Sequence, residues 1–379
     1  MPFTSEHEMF RDLVRRFVQD EITPHVNDWE ERGEIPRDLF RRMGELGLLG
    51  IEYETRHGGV DADFWMTVVL AEELARCRSG GVAFSVIVHT DMSSPWLGRV
   101  GSDDQKQRYL PDITGGRKVC ALAITEPGVG SDMASLETRA VRDGDDWIIN
   151  GAKTYITNGV YGDLYFVAAK TRNTGPKHQR LSQFLVEAGT PGLKVSRKLS
   201  KTGMWASDTA ELVFEDVRVP HANLLGEEGR GFYQLASGLQ RERLLSAVLS
   251  VAAASQALND TLDFLKNRES FDRPLAEFQA LRHRIADMAV DVEAARRLTY
   301  AAVEAFASGA DCVTEVSMAK LYSTEMANRI AYEAVQMHGG LGYMRELPVE
   351  RFARDYRLWT IAAGTSEMMR EIIAKRLLG

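Results

Sequence analysis

The stretch ALAITEPGVGSD, from Ala121 to Asp132, decides the fold when it is taken together with KTYITNG, from Lys153 to Gly159. Each stretch begins as a short apolar run and ends in a loop of small, hydroxyl-rich residues that contains glycine. Pro127-Gly128 and Gly130-Ser131 force tight turns, which leave backbone N–H groups without strand partners. The pattern predicts two neighbouring β-strands that end in polar loops.

The side chains of these two loops suit a large, flat, polar ligand. Thr125, Ser131 and Thr157 carry hydroxyl groups that donate or accept hydrogen bonds. Tyr155 adds a flat ring that can lie against a flat ligand. Two such loops form a polar rim around an aromatic wall, which predicts a site for a planar polar cofactor. The alternative is a pair of ordinary β-loops, because loops of Gly, Ser and Thr are common.

The composition is that of an ordinary globular protein. Of the 379 residues, 44% are hydrophobic and 26% are charged, and the length allows two or three domains or one large composite core. With 46 basic and 54 acidic residues the formal net charge is −8. That balance argues against nucleic acid as a partner, because nucleic acid selects a basic surface. It leaves room for a local basic patch that binds a phosphorylated ligand.

Cysteine usage and the first residues predict a cytoplasmic protein. The cysteines Cys77, Cys120 and Cys312 are far apart and form no CxxC pair, so neither a zinc site nor a disulfide framework is expected. The opening sequence MPFTSEHEMFRDLVRRF is charged from its start and lacks the apolar core of a signal peptide. No window approaches the ~18–20 apolar residues of a transmembrane helix, so no membrane insertion is expected.

The chain changes character twice, in the order helices, sheet, helices. From Ser5 to about Leu110 apolar residues recur at helical spacing after a predicted cap at Ser5. From Val119 to about Pro220 short alternating runs separated by turns predict an antiparallel β-domain. Beyond that, four long apolar stripes predict a helical bundle, at about 232–268, 277–308, 313–338 and 365–378. The predicted domains are 1–116, helical; 117–228, a middle β-domain; and 229–379, a C-terminal four-helix bundle.

Common nucleotide-binding and catalytic motifs are absent from the sequence. Gly128-Val129-Gly130 and Gly340-Leu341-Gly342 both lack the third glycine of a GxGxxG motif. There is no Walker A lysine, no HExxH and no GxSxG, and the eight histidines do not cluster as metal ligands. No metal site is therefore predicted.

A carboxylate lies on an apolar helical stripe. If residues 232 to 253 form a helix, Glu242 shares one face with residues such as Leu235, Leu239 and Leu249. A lone buried carboxylate is costly unless it is paired or its pKa rises, and a raised pKa suits a base that removes a proton from a weakly acidic C–H. The alternative is an ion pair with Arg241, Arg243 or an arginine on another helix.

Together these features resemble the acyl-CoA dehydrogenases over essentially the whole chain. Seven segments carry the resemblance in order: ITEPGVGSD, YITNG, KLSKTGMWASDTAELVFEDVRVP, NLLGEEGRGFYQLASGLQRERLL, RESFDRPLAEFQ, VQMHGGLGYM and IAAGTSEMMRE. The resemblance implies a mainly α fold with a β middle domain, a homotetramer with one FAD per subunit, and electron-transferring flavoprotein as electron acceptor. It implies oxidation of an acyl-CoA thioester to the trans-2-enoyl-CoA, in which a carboxylate takes the α-proton and flavin N5 accepts the β-hydride.

The resemblance also assigns residues to the cofactor and to the substrate. Positions that match flavin contacts are Leu122, Thr125, Gly130, Ser131, Tyr155 and Thr157, together with Thr365 and Glu367. Positions that match contacts to the cofactor of an adjacent subunit are Arg268, Phe271, Gln279, Gln336, Gly339 and Gly340. Substrate-side positions are Ser131, Arg243 and Gly364.

One departure from the family pattern bears on the mechanism. Many relatives carry a tyrosine and the catalytic glutamate just before the Gly-Thr pair, where this chain has Ala362-Ala363. A branch that resembles the isovaleryl-CoA and long-chain acyl-CoA dehydrogenases places its base on the first long helix of the C-terminal domain, and Glu242 falls on that position. Asp272 and Phe278 also depart, where glycine and histidine are frequent, and they weaken the contacts assigned to the adjacent subunit.

Two other functions stay open. A flavin-dependent monooxygenase on the same fold needs no α-proton base, so the loss of the usual glutamate would be natural there. A non-catalytic acyl-CoA-binding protein would hold no flavin, or flavin that no acyl-CoA bleaches. Glu242 argues against the first alternative and the intact loop motifs argue against the second.

Overall fold

The computed structural model describes residues 3 to 379 and confirms the predicted order of helices, sheet and helices. The α-helices in that part of the chain are Ser5–Phe17 (α1), Val26–Arg32 (α2), Arg37–Glu45 (α3), Phe64–Ala75 (α4), Gly80–Ile87 (α5), Ser94–Val100 (α6), Asp103–Thr114 (α7), Gly231–Asn267 (α8), Gln279–Ala307 (α9), Val313–His338 (α10), Pro348–Tyr356 (α11) and Ser366–Leu378 (α12). The strands are Cys120–Ala123 (β1), Arg139–Asp143 (β2), Asp146–Thr157 (β3), Leu164–Lys170 (β4), Leu181–Glu187 (β5), Leu193–Lys198 (β6), Thr209–Pro220 (β7), Leu224–Leu225 (β8), Glu269–Ser270 (β9) and Arg273–Pro274 (β10).

The N-terminal helices start at polar caps and bury apolar faces. The cap of α1 is Thr4 rather than Ser5: its hydroxyl accepts from the backbone N–H of His7, and the His7 ring accepts the Thr4 N–H at 2.9 Å. Nearly all side chains of α4 and α5 are buried. A π-helical turn, Val88–Ser93, follows α5 and brings the polar residues Thr90 and Asp91 into the interior.

The middle sheet is mixed rather than antiparallel throughout. Its strand order is β6-β7-β3-β2-β4-β5-β8, with β1 beside β4. Strand β4 runs parallel to β1, with Cys120 opposite Leu164, and parallel to β2, with Arg139 opposite Lys170. The prediction of an antiparallel domain was incomplete because alternation along a strand reports its buried face and not its neighbour. The chain between β1 and β4 is long enough for the crossover that a parallel pair needs.

The C-terminal bundle contains the four predicted helices and one that was not predicted. The four stripes correspond to α8, α9, α10 and α12. Helix α11 was missed because it is short, although Pro348 at its first turn is a common start signal. Helix α8 also packs on α4, α6 and β5, so this helix contacts all three parts of the molecule.

The predicted domain limits after residues 116 and 228 fall between elements of the structure, and as limits of separate folding units they stay a prediction. None of the helices within residues 3–379 is long and apolar enough to cross a membrane.

Candidate active site

Glu242 is a buried carboxylate without a partner. It lies on α8 with 6% of its surface exposed, and no side chain in the described chain pairs with it or donates to it. Burial raises the pKa of Glu242 to about 7, and the positive charge of Arg243 only partly opposes this rise. A carboxyl group in this state can accept and release a proton near neutral pH.

The two arginines that flank Glu242 are held elsewhere. Arg241 donates to Glu52 at 2.6 and 3.0 Å and to Asp91 at 2.5 and 2.9 Å. Arg243 donates through Nε to the carbonyl oxygen of Ala363 at 3.1 Å. The ion pair of Glu242 with an arginine, which the sequence left open as an alternative, is therefore not formed within residues 3–379, because Arg241 pairs with Glu52 and Asp91 instead.

The loop after α11 passes close to Arg243. Ala363 and Gly364 have φ values of +55° and +97°, so both adopt the left-handed region. Lys320, which is fully buried on α10, donates to the Gly364 carbonyl oxygen at 2.6 Å. Burial lowers the pKa of Lys320 to about 8, with a further contribution from Arg243. Two buried cations thus hold consecutive carbonyl groups of a loop that carries no carboxylate at positions 362 and 363.

A buried ion pair joins the two predicted cofactor loops. Lys153 donates to Glu126 and to the Ile124 carbonyl oxygen, both at 2.8 Å, and the backbone N–H of Thr154 donates to Thr125 at 2.9 Å. Glu126 also accepts from the backbone N–H groups of residues 137 and 138 at 2.6 and 2.9 Å. Sequence reasoning did not single out Lys153 or Glu126, although a charged residue inside each motif was the available signal.

Several residues of the two predicted cofactor loops are exposed. Tyr155 has φ = +60° and its side chain is 70% exposed, although Thr157 is buried. A Cβ atom added at Gly128 or Gly130 would meet nothing within 4 Å. Ser131 is exposed, while Leu122 and Thr125 are half-buried. The hydrogen bond from the Thr154 N–H to the Thr125 carbonyl oxygen brings the two loops together, and Gly130, Ser131 and Tyr155 are exposed on them.

The remaining predicted cofactor residues lie in two other places. The rings of Phe264 and His338 stack with centroids 4.2 Å apart, which brings the segments of Arg268 and Gly339 to the same end of the bundle. Phe271 is 87% exposed there, and added Cβ atoms at Gly339 and Gly340 would meet open space. Gln279 and Gln336 are exposed at this end as well.

Thr365 and Glu367 lie elsewhere, at the N-terminus of α12. They line a groove of about 460 Å³ that also includes Arg329, Arg357 and Ser366. The hydroxyl oxygen of Ser366 is buried there without a hydrogen-bond partner in the described chain. This groove is therefore ready to accept a polar ligand at a helix N-terminus.

Known protein families match this chain over nearly its whole length. Three family models match in order: Acyl-CoA dehydrogenase, N-terminal domain, over residues 4–117; middle domain, over 121–217; and C-terminal domain, over 229–378. The chain therefore belongs to the acyl-CoA dehydrogenase family. The predicted enzyme class, an oxidoreductase, is confirmed at the level of this family.

Individual relatives agree with that membership. The long-chain specific acyl-CoA dehydrogenase, mitochondrial, of Sus scrofa is 41% identical over 378 residues, which are 99% of this chain and 87% of that protein. The crystal structure of acyl-CoA dehydrogenase from Geobacillus kaustophilus has 45% identity and a TM-score of 0.96, with 99% of each chain covered. Glutaryl-CoA dehydrogenase from Mycobacterium smegmatis, solved in complex with FADH2, has 30% identity and a TM-score of 0.93, with 99% of this chain and 95% of that chain covered.

Proposed function

We propose that this protein is an FAD-dependent acyl-CoA dehydrogenase in which Glu242 removes the α-proton of an acyl-CoA thioester. The substrate loses this proton and a β-hydride, and the Cα–Cβ bond becomes the double bond of a trans-2-enoyl-CoA. The observation that carries the proposal is that Glu242 is buried and has no partner among residues 3–379. The absence of a carboxylate at Ala362 and Ala363 supports the same assignment.

The residues present fit FAD on three structural grounds. The unpartnered hydroxyl group of Ser366, beside Thr365 and Glu367, lacks a hydrogen bond that a polar ligand would supply. Backbone can approach a ligand closely at Gly130, since nothing lies where its Cβ would be. The exposed ring of Tyr155 offers a flat apolar surface. The glutaryl-CoA dehydrogenase from Mycobacterium smegmatis was solved in complex with FADH2, the reduced form of this cofactor.

The proposed cofactor contacts are those that the family resemblance assigned. They are Leu122, Thr125, Gly130, Ser131, Tyr155 and Thr157 in the first two loops, Arg268, Phe271, Gln279, Gln336, Gly339 and Gly340 from an adjacent subunit, and Thr365 and Glu367 in the C-terminal segment. FAD, when bound, supplies the two-electron acceptor for the β-hydride.

The chain's own part in the reaction is to hold the substrate and take the proton. Glu242 accepts the α-proton on a carboxyl oxygen, and its pKa near 7 keeps a large fraction of this base ionised at neutral pH. The proposed substrate contacts are Arg243, Gly364 and Ser131, the positions that the family resemblance assigned to the substrate side. Arg243 is fixed on the Ala363 carbonyl oxygen, so its charge lies near Glu242 but the two side chains form no ion pair. Such a pair would make Glu242 a weaker base.

The proposed assembly is a homotetramer that passes electrons to electron-transferring flavoprotein. Phe271 and Tyr343 are 87% and 81% exposed, and Leu341 and Met344 are 45% exposed, close to the residues assigned to the adjacent subunit's cofactor. Exposed apolar side chains in such numbers are typical of an interface between chains. Sedimentation analysis of the FAD-loaded protein tests the tetramer, and a monomer would remove support for the assignments at 268–279 and 336–340.

A cytoplasmic location stays a prediction.

The experiment that tests the function is an anaerobic titration of the purified flavoprotein with short, medium, long and branched acyl-CoAs. We expect at least one class to bleach the oxidised flavin absorbance and to yield the enoyl-CoA. If no acyl-CoA bleaches the flavin, the proposed reaction is wrong. Oxygen consumption driven by NADPH or reduced flavin without acyl-CoA would instead favour the monooxygenase alternative, which the sequence left open.

A further inference from the structure

Arg241 is the centre of an ionic cluster that reaches from α8 into the N-terminal helices; Arg241 and Asp91 are buried in it, and Glu52 is exposed. Its guanidinium group contacts two carboxylates, Glu52 from the loop before α4 and Asp91 from the π-helical turn after α5. Both carboxylates are themselves oriented by threonines: Thr67 donates to Glu52 at 2.6 Å, and Thr90 donates to Asp91 at 2.5 Å. All three nitrogens of the guanidinium group are thereby engaged.

The cluster borders a cavity of about 240 Å³ that opens to the surface. Asp91 and Arg241 line its inner part, and the exposed side chains of Glu54 and Arg99 line its mouth. Glu242 does not line this cavity. The cavity therefore gives small solutes access to the cluster without passing the proposed base.

The side chains of Arg241, Glu242 and Arg243 point in three directions from α8, because successive side chains of an α-helix are about 100° apart. Arg241 is tied to the N-terminal helices through Asp91 and Glu52, and Arg243 is tied to the Ala363 carbonyl oxygen. Glu242 lies between these two attachments and has none of its own. The direction of its carboxylate therefore depends on how α8 is held at the residues on either side.

We infer that Asp91 and Glu52 are positioning residues for the reaction: by binding Arg241 they fix the rotation of α8 at Glu242 and so aim the base at the substrate. The inference rests on the proposed function of Glu242. A displacement of about 1 Å at a reacting group can cost on the order of 100-fold in rate, so loss of one attachment should be visible in turnover. It should affect kcat far more than binding, since neither carboxylate is assigned to substrate or cofactor.

The chain offers a matched control at the other end of the same helix. Arg78, between α4 and α5, pairs with Asp260 of α8 at 2.7 and 3.0 Å. This pair also joins α8 to the N-terminal helices, but it lies about 27 Å along the helix from Glu242 at 1.5 Å per residue. Asp260→Asn therefore removes an attachment of the same helix, although a more exposed one, without a route to the base.

The test compares Asp91→Asn, Asp91→Ala and Asp260→Asn as FAD-loaded enzymes, with an acyl-CoA that bleaches the wild-type flavin. For Asp91→Asn we expect kcat to fall about tenfold, KM to change by less than about threefold, and the isotope effect of an α-deuterated substrate to rise. Asp260→Asn should stay within about twofold of wild type in kcat. In Asp91→Ala, added formate should restore part of kcat, because the cavity admits it to the space of the lost carboxylate. Formate should not help Asp91→Asn.

Several results would overturn the inference. One is an Asp91→Asn enzyme with wild-type kcat and isotope effect. Another is an equal loss of kcat in Asp260→Asn, which would indicate a general loss of stability. A third is an Asp91→Ala enzyme that formate leaves unchanged. If the Asp91 variants do not fold, Glu52→Gln replaces them, because Glu52 lies on a loop; unchanged kcat in this variant would also overturn the inference. Turnover that survives in Glu242→Gln would instead refute the proposed base.

Discussion

Two buried glutamates of this molecule have the same exposure and opposite chemistry. Glu126 and Glu242 each expose 6% of their surface. Glu126 is held by Lys153 and two backbone N–H groups. Burial acts to raise its pKa, but Lys153 and the hydrogen bonds from residues 137 and 138 together lower it. Glu242 has no such partner, and burial alone raises its pKa to about 7. Hydrogen-bond and ion-pair partners, rather than the extent of burial, therefore distinguish a structural carboxylate from a candidate base.

The largest expected effect comes from removing the unpartnered carboxylate. Glu242→Gln should lower kcat about 10³- to 10⁴-fold, since an amide cannot accept the α-proton. The bound flavin should be retained, because Glu242 is assigned no cofactor contact. Anaerobic single-turnover bleaching measures the rate, and the flavin-to-protein ratio is the control. A loss smaller than tenfold would show that another group acts as base.

The next largest effect comes from breaking the partnered carboxylate. Lys153→Met leaves Glu126 buried without its cation, which should destabilise the protein by about 3–5 kcal/mol. Chemical denaturation of the two proteins measures the difference. Lys194→Met is the matched control, because the Lys194–Glu215 pair has a similar length of 2.7 Å but both side chains are more than 60% exposed. If the two variants lose the same free energy of unfolding, burial does not make the Lys153–Glu126 pair more stabilising than an exposed pair.

A third difference appears in the pH dependence of stability. The pKa of Glu242 is about 7 in the folded protein and about 4.5 in its ordinary state, so the folded state binds the proton more tightly. Stability is therefore lost as pH rises through this interval, by at most about 3 kcal/mol. Glu242→Gln removes this loss, so its stability relative to wild type should increase from pH 4.5 to pH 8. Denaturation midpoints at both pH values test this, and a constant difference would contradict the raised pKa.

The smallest effect concerns the loop at Ala362 and Ala363, where the family resemblance led us to expect a glutamate in many relatives. Ala363 adopts φ = +55°, which strains an L-residue, so Ala363→Gly should stabilise the protein by about 0.5 kcal/mol after the greater freedom of unfolded glycine is counted. Ala362→Gly is the control, because Ala362 is not among the residues with positive φ and the same change should destabilise there. Thermal denaturation compares the two, and a destabilised Ala363→Gly would argue against strain at this position.

The sequence predicted the parts of this molecule that depend on local pattern. Long apolar stripes predicted the bundle because α8, α9 and α10 each bury a repeating face, and the position of Glu242 on its stripe predicted that it would be buried. The parallel neighbours of β4 were not predictable, because strand pairing depends on the path of the chain and not on alternation.

The partners of the charged residues were beyond sequence reasoning for a similar reason. The sequence suggests Arg241 as an ion-pair partner for Glu242, the residue beside it. It binds Glu52 and Asp91, which are about 150 or more positions away along the chain. Lys320 likewise binds a main-chain oxygen, for which a sequence gives no signal. Tertiary contacts of this kind can be read only from the folded chain.

The hydrogen bonds from Arg243 and Lys320 to the carbonyl oxygens of Ala363 and Gly364 have an evolutionary consequence. Every amino acid carries a carbonyl oxygen, so substitutions in this loop leave both attachments intact provided that the backbone keeps its turn. The side chain at Ala363 can change while the loop stays in place, whereas the φ of +97° at Gly364 favours glycine there. Selection can therefore vary the side chain at Ala363 without removing the two contacts that hold the loop.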